Sequence, residues 1–140
     1  MPEGGPAAAP AASRPQSFLA FDVSLRRVGV AAGNSLTRTA RPLKTLVLEG
    51  DARFAAIGAL IKAWQPDALV VGVPRHPDGA PHDNTARAQR FARQLHGRFR
   101  LPVHEVDERW TTTAAAEAGA RDLDAAAAAL ILEQFLGESR

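Results

Sequence analysis

An α/β fold built on a mixed β-sheet is predicted by three features of this sequence. Three apolar segments of strand length come first, with no helical pattern between them. Helical and strand patterns then alternate, as they do where helices join parallel strands. The chain is 140 residues long, which suits one domain with one core. These features favour an antiparallel meander continued by parallel strands, with helices flanking the sheet.

The leading strands are predicted at residues 18–22, 27–33 and 39–48. The first two are apolar runs joined by a tight connection at 23–26, as in a hairpin. Pro42 interrupts the third, and proline cannot donate a hydrogen bond to a strand ladder. We therefore expect the third strand to lie at an edge of the sheet or to contain a bulge.

The later segments alternate helix and strand. Apolar residues recur at helical spacing over 52–64, and the continuous apolar run 68–72 is typical of a buried strand between helices. A loop rich in Pro and Gly follows over 74–83. The remaining predicted elements are a helix capped by Asn84 or Thr85 that runs to about residue 98, a strand over 101–106, a short helix opening at 111–113 and an Ala-rich helix over 122–136. The order β-β-β-α-β-α-β-α matches a ribonuclease-H-like fold.

Residues 1–16 are predicted to be a disordered tail, and residues 17–140 the folded domain. The tail is mostly Pro, Ala and Gly, which bury too little apolar surface to offset the entropy lost on ordering. It lacks the apolar core of a secretory signal, and no run in the chain approaches the roughly 20 apolar residues that span a bilayer. Cysteine is absent, which excludes disulfides and thiolate sites. We therefore expect no membrane contact and a reducing compartment.

Arginine supplies 15 of the 17 basic residues. Its guanidinium pairs bidentately with phosphate, so this preference favours a nucleic-acid partner, with genomic base composition as the alternative explanation. Arg26 and Arg27 lie in the first predicted turn or at the start of the second strand. Arg87 and Arg90 lie off the apolar face of the helix that follows residue 84. These four arginines are candidates for contacts with phosphate.

Three acidic positions carry the predicted chemistry. Asp22, Glu108 and Asp124 lie at the edges of apolar segments, and Asp107 precedes Glu108. A carboxylate at the end of a buried strand is costly unless a cation compensates it. If the acids converge, their oxygens would bind one or two Mg²⁺ or Mn²⁺ ions, which activate water for phosphodiester cleavage.

Each acid also has a structural explanation. The helix dipole favours an acid at a helix N-terminus, which accounts for Asp124 and equally for Asp122. Asp107 or Thr111 can cap the short helix that follows, and Glu108 can pair with Arg109. Arg109 is also suited to hold a phosphate.

Six blocks of the sequence resemble, in the same order, those of the YqgF family of bacterial pre-16S rRNA nucleases, which are also described as Holliday-junction-resolvase-like. The resemblance spans residues 18–136. The blocks are Phe21-Asp22 with Arg27-Val28-Gly29-Val30-Ala31, Ala40-Arg41-Pro42-Leu43, Val70-Val71-Gly72-Val73-Pro74 with Asp78-Gly79, Ala86-Arg87-Ala88 with Phe91-Ala92, Asp107-Glu108-Arg109-Trp110-Thr111-Thr112, and Asp124 with Ala127-Ala128 and Ile131-Leu132-Glu133. Ser24 stands where the family usually has glycine, so the first turn must accommodate a side chain.

The resemblance implies a cytoplasmic, metal-dependent endonuclease that trims the 5′ end of precursor 16S rRNA in ribosome biogenesis. It implies precursor rRNA or another structured nucleic acid as the partner, with ribosomal particles, and Mg²⁺ or Mn²⁺ as the cofactor. The implied catalytic acids are Asp22, Glu108 and Asp124, with Asp107 as an auxiliary metal ligand. The implied phosphate-facing arginines are Arg27, Arg41, Arg87 and Arg109.

Two alternatives to this function remain open. The same fold would serve a resolvase of four-way (Holliday) DNA junctions, which needs a suitable dimer because it nicks symmetrically. A non-catalytic RNA-binding or ribosome-binding factor would keep the fold, with its acids in structural roles. The sequence is compatible with a monomer and with a homodimer.

Overall fold

The computed structural model describes residues 15–75, 84–108 and 122–138, without the side chain of Glu108. Its strands are β1 Ser17–Val23, β2 Val28–Asn34, β3 Ala40–Leu46, β4 Ala68–Pro74 and β5 Val103–Glu108, and its helices are α1 Gly50–Trp64, α2 Thr85–Phe99 and α3 Leu123–Glu138. These elements confirm the predicted order over the described ranges. Most of the predicted tail, most of the 74–83 loop and the short helix at 111–113 lie outside them. None of the helices described is long and apolar enough to span a bilayer.

The sheet has five strands in the order β3-β2-β1-β4-β5. β1 pairs antiparallel with β2 and β2 with β3, whereas β1 pairs parallel with β4 and β4 with β5. The predicted mixed sheet, with its antiparallel meander and parallel half, is therefore confirmed. Pro42 lies on the edge strand β3 beside a register shift between Val30 and Ala31, which satisfies both expectations for it.

The two faces of the sheet carry different cores. Leu19, Phe21 and Val23 of β1 belong to a core of bulky side chains built with α1 and α2, on what we call the α1/α2 face. Phe18 and Ala20 belong to a second core built with α3, on the α3 face. Side chains alternate between faces along a strand, and the alternation separates these two sets.

The turn between β1 and β2 accommodates Ser24 without strain. Its backbone N–H donates to the Arg27 carbonyl over 2.8 Å, and its hydroxyl donates to the same oxygen over 3.2 Å. In the described ranges the non-glycine residues with positive φ are Arg38, Gln65 and Arg100, so Ser24 does not occupy the left-handed region that favours glycine. The side chain at this position closes the turn that carries Arg26 and Arg27.

Candidate active site

One row of residues crosses the sheet near the carboxyl ends of its parallel strands. Asp22 of β1 pairs with Gly29 of β2, which pairs with Thr45 of β3. On the other side Phe21 pairs with Val71, so Asp22 stands next to Gly72 of β4, which pairs with Val106 of β5. Asp22 therefore lies between two residues without side chains. The absence of a side chain at both positions lets other groups approach Asp22 closely.

Helix α3 begins directly above this row. A Cβ placed on Gly29 would lie 1.9 Å from the carbonyl oxygen of Asp124 and 2.8 Å from the amide nitrogen of Ala125. The first turn of α3 thus rests on the backbone of β2, at a distance that no side chain would permit. This close approach puts Asp124 beside the strand partner of Asp22.

The cap of α3 is Asp122 and not Asp124. The amide of Ala125 donates to Asp122 Oδ1 over 3.1 Å, which is the bond expected from an N-cap residue to the third helical residue. The hydroxyl of Thr45 donates to the same Asp122 oxygen, so the cap also ties the helix to β3. The structural explanation that the sequence allowed for both acids therefore belongs to Asp122.

The carboxylate of Asp124 faces a cation instead. Its Oδ2 lies 3.7 Å from Nη1 of Arg27, with 28% of the Asp124 side chain and 62% of the Arg27 side chain exposed. Such an exposed pair contributes little to stability. Asp22 is half-buried, and its strand position alternates with Phe21 and Val23 of the α1/α2 face, which places it on the α3 face with Asp124.

Glu108 is described through its backbone alone. It pairs with Pro74 at the carboxyl end of β5, two positions beyond Val106 of the row. Because β4 lies between β1 and β5, the backbones of Asp22 and Glu108 are separated by about 10 Å across the sheet, which is twice the spacing of neighbouring strands, and by about 7 Å along the strands. The structure thus brings Asp22 and Asp124 together and puts Glu108 at the same edge. Its role as the third acid stays a prediction.

Asp107 stands apart from the two acids. Its Oδ1 lies 3.1 Å from Nε of Arg75. It alternates with Val106, whose side chain belongs to the α3-face core, so Asp107 is directed to the other side of β5. The structure does not bring this predicted auxiliary ligand beside Asp22.

The predicted arginines divide among several places. Arg27 lies beside Asp124, and Arg26 is exposed in the same turn. Arg87 and Arg90 line a cavity with residues of the α1/α2 face. Arg41 stacks over Trp64, with 5.4 Å from its guanidinium carbon to the ring centroid. It pairs with Ala32, whose β1 partner Leu19 is three residues from Asp22. Arg41 therefore lies outside the acid row, which is our name for the row of strand residues that contains Asp22, together with Asp124 above it. Arg109 lies outside the described residues.

Arg53 is a residue that the sequence prediction missed. It is 8% exposed, and its Nε donates to the Leu48 carbonyl over 2.7 Å. Its Nη2 donates to the Leu25 carbonyl over 3.1 Å, so Arg53 fixes the β1–β2 turn from beneath. The signal was its position four residues before the buried Ile57, which puts a charge on the apolar stripe of α1.

The donor chemistry of the acid row fits a hard divalent cation. Asp22 and Asp124 offer carboxylate oxygens, which are the ligands that Mg²⁺ and Mn²⁺ prefer. Within the described residues, no three His, Cys, Asp or Glu side chains form a group able to hold a metal ion. Asp22 and Asp124 are the described members of the predicted metal site, and Glu108 is the residue predicted to complete it.

Comparison with known proteins gives one consistent set of similarities. A family model, RuvX, described as Holliday junction resolvase, matches residues 16–138. A protein of Albidiferax ferrireducens with the name "Putative pre-16S rRNA nuclease" is 67% identical over 121 residues, covering 86% of this chain and 78% of that protein. A protein of Polaromonas sp. with the same name is 64% identical over 121 residues, covering 86% of this chain and 88% of that protein.

A solved structure shares the fold. RuvC of T. thermophilus, in complex with a Holliday junction substrate, matches with a TM-score of 0.54 at 14% identity. The match covers 88% of this chain and 94% of RuvC. It confirms the predicted ribonuclease-H-like fold.

Proposed function

This chain belongs to the RuvX (YqgF) family, as its sequence motifs predict, and we propose that it is a metal-dependent endonuclease that processes the 5′ end of precursor 16S rRNA. The observation that carries the proposal is the acid pair on the α3 face. Asp22 pairs with Gly29, and the first turn of α3, which carries Asp124, rests on that glycine. The names of the relatives at 67% and 64% identity support the choice of substrate.

The residues of the row have distinct proposed roles. Asp22 and Asp124, with Glu108, would hold one or two Mg²⁺ or Mn²⁺ ions, and when bound these ions would polarise a phosphoryl oxygen and lower the pKa of the attacking water. Gly29 allows α3 to approach Asp22, and Gly72 on the other flank has no side chain to obstruct a phosphodiester. Arg27 supplies a cation at 3.7 Å from Asp124 and is exposed enough to contact a phosphate of the substrate.

The proposed partners and location follow from this substrate. Precursor 16S rRNA is a structured RNA that is processed in ribosomal particles, so we propose that the protein meets its substrate there. Processing of this RNA would place the protein in the cytoplasm.

Cleavage of four-way DNA junctions is the second candidate function. It is favoured by the description of the matching family model as Holliday junction resolvase. The same acids would serve both reactions, because each one hydrolyses a phosphodiester. Cleavage of junction DNA and of precursor rRNA, assayed side by side with the same protein, separates the two substrates.

The proposed chemistry is tested by cleavage of precursor 16S rRNA in the presence of Mg²⁺ or Mn²⁺. We expect Asp22→Asn to lower the rate by about 100-fold or more, as removal of one key electrostatic group does in other hydrolases. Asp51→Asn is the matched control, because the Asp51 side chain on α1 is 98% exposed and pairs only with Arg98 among the described residues. An Asp22→Asn protein that cleaves as fast as the parent would refute the assignment of Asp22. A parent protein that binds the RNA without cleaving it would favour a non-catalytic RNA-binding factor.

A further inference from the structure

A second feature lies at the same end of the sheet, on the opposite face from the acids. It is a cavity of about 200 Å³ between α1, α2 and the β1–β2 turn. Its wall includes Val23, the residue that follows Asp22 in β1 and is directed to the other face. α2 begins at this edge too, since the Thr85 hydroxyl donates to the carbonyl of Pro74 at the end of β4. The cavity and the acid row therefore flank the same end of the sheet.

Three arginines converge on this cavity: Arg53, Arg87 and Arg90. Arg53 is 8% exposed and has no carboxylate within 4.0 Å among the described residues. An arginine carries five N–H donors, and three of those of Arg53 are directed at the carbonyls of Leu48, Ser24 and Leu25. The two donors on its Nη1 have no acceptor among the described residues. A buried guanidinium with unused donors favours the binding of an anion beside it.

The electrostatics of the cavity favour the same ligand. Burial lowers the pKa of the Arg53 guanidinium, the Glu49 carboxylate opposes this effect, and the neighbouring Arg87 cation lowers the pKa further. Arg87 and Arg53 thus repel each other within one cavity. The walls also include Leu25, Phe54 and Phe91, of which the two phenylalanines are buried, and charge interactions near such apolar groups are stronger than in bulk water.

We propose that this cavity binds a phosphate group of the nucleic-acid substrate through Arg53, Arg87 and Arg90. Guanidinium groups bind phosphate oxygens bidentately, which suits the forked donors that Arg53 presents. A chain passing over the end of β1 would have one phosphate at the acid row and another in the cavity on the opposite face. The identity of the ligand as a nucleic-acid phosphate rests on the proposed function, whereas the anion site itself does not.

The site is tested first with inorganic phosphate alone. Calorimetric titration at constant ionic strength compares the parent with Arg90→Ala and Arg93→Ala, two exposed arginines of α2 of which only Arg90 lines the cavity. We expect Arg90→Ala to weaken phosphate binding by about tenfold, through loss of one charge-assisted hydrogen bond, and Arg93→Ala to leave it unchanged. No saturable binding by the parent, or an equal loss in both variants, overturns the site.

Binding of RNA then tests the role of the site. In an Asp22→Asn background, which removes the proposed chemistry, Arg90→Ala should reduce the slope of log affinity against log salt by about one, and Arg93→Ala should not. If Arg90→Ala reduces the salt slope only for RNA that carries a 5′-phosphate, the ligand is a terminal phosphate. If it reduces the slope equally for RNA without a 5′-phosphate, the ligand is an internal phosphodiester. An Arg90→Ala protein with the parent's slope overturns the proposal.

The two proposals fail in different ways. Phosphate binding that depends on Arg90, without RNA cleavage by the parent, refutes the nuclease and supports the anion site. Cleavage that is lost in Asp22→Asn, without Arg90-dependent phosphate binding, supports the nuclease and refutes the anion site. Arg53→Lys adds a separate check, because it keeps the charge but loses the forked donor geometry, and it should weaken phosphate binding in a protein that still unfolds cooperatively.

Discussion

The two faces of the sheet are built differently at the end of β1. The α3 face has small residues: α3 approaches the backbone of Gly29 directly, and Ala31 packs against Ala128 and Ala129. The α1/α2 face has bulky residues, where Phe21 meets Phe91 edge to face with ring centroids 5.9 Å apart. Packing on the α3 face therefore depends on small residues at this end of β1, and packing on the α1/α2 face depends on the volume of its side chains.

The charges of the two faces differ in sign as well. The α3 face carries Asp22 and Asp124, and the cavity on the α1/α2 face carries three arginines. The alternation of side chains along β1 keeps these groups on opposite sides of one strand. The sheet therefore separates Asp22 and Asp124 from the three arginines of the cavity, whereas Arg27 stays beside Asp124.

The bulky face should be the more sensitive to loss of volume. Phe21→Ala removes a fully buried ring, and we expect it to lower the free energy of unfolding by about 3–5 kcal/mol through lost burial and a residual cavity. Denaturant unfolding measures the change. Phe135→Ala on the α3 face, where the ring is half-buried, should lower the stability by less, and an equal loss would contradict the contrast between the faces.

The small-residue face should be sensitive to added volume. Gly29→Ala would drive a methyl group into the Asp124 carbonyl, and we expect a loss of about 1–3 kcal/mol as α3 is displaced. Gly97→Ala in α2 is the matched control, because nothing lies within 4 Å of its added Cβ. The free energy of unfolding of the Gly97→Ala control should rise by roughly 0.5–1 kcal/mol, because alanine has a higher helix propensity than glycine. Thermal unfolding of both variants gives the comparison, and a Gly29→Ala protein as stable as its parent would contradict the close approach of α3.

Stability measurements also test whether Asp122 or Asp124 caps α3. Asp122→Ala should lower the stability by about 1 kcal/mol, because the N-cap bond to Ala125 and the bond from Thr45 are lost. Asp122→Asn keeps a good capping oxygen and should retain most of the stability. Asp124→Asn should change the stability little, and a larger loss for Asp124→Asn than for Asp122→Ala would reverse the assignment of the cap.

The smallest expected effect on stability is that of Arg27→Ala. Its pair with Asp124 is exposed, so we expect a change within about 0.5 kcal/mol. Affinity for RNA should nevertheless fall, with a salt slope reduced by about one if Arg27 contacts a phosphate. An unchanged slope, measured by RNA binding at several salt concentrations, would remove Arg27 from the proposed interface.

The strands and helices could be predicted because local patterns determine them. The apolar runs of β1, β2 and β4 and the helical spacing of α1 all appear in the structure close to their predicted bounds. Pro42 predicted an edge strand or a bulge because proline cannot donate a hydrogen bond to a strand ladder. The differences lie at element ends, where β3 stops at Leu46 because Leu48 turns its carbonyl towards Arg53.

The site could be predicted only in part, because its geometry depends on contacts between distant residues. The sequence left the cap of α3 open between Asp122 and Asp124, and it does not indicate that Thr45, 77 residues away, also donates to the Asp122 carboxylate. Arg41 shares a motif with Pro42, yet its strand register puts it away from Asp22. Strand register and helix docking are tertiary properties, which the residue pattern of a single segment does not contain.

We propose that Asp22 and Asp124 on the α3 face hold a divalent metal, and that Asp107, on the opposite face of β5, does not. Calorimetric titration with Mn²⁺ tests it on the parent, Asp22→Asn and Asp107→Asn. We expect saturable binding by the parent, an affinity lowered by at least about tenfold in Asp22→Asn, and an affinity close to the parent's in Asp107→Asn, which pairs with Arg75. Equal Mn²⁺ affinity in the parent and Asp22→Asn, or a larger loss in Asp107→Asn, would contradict it.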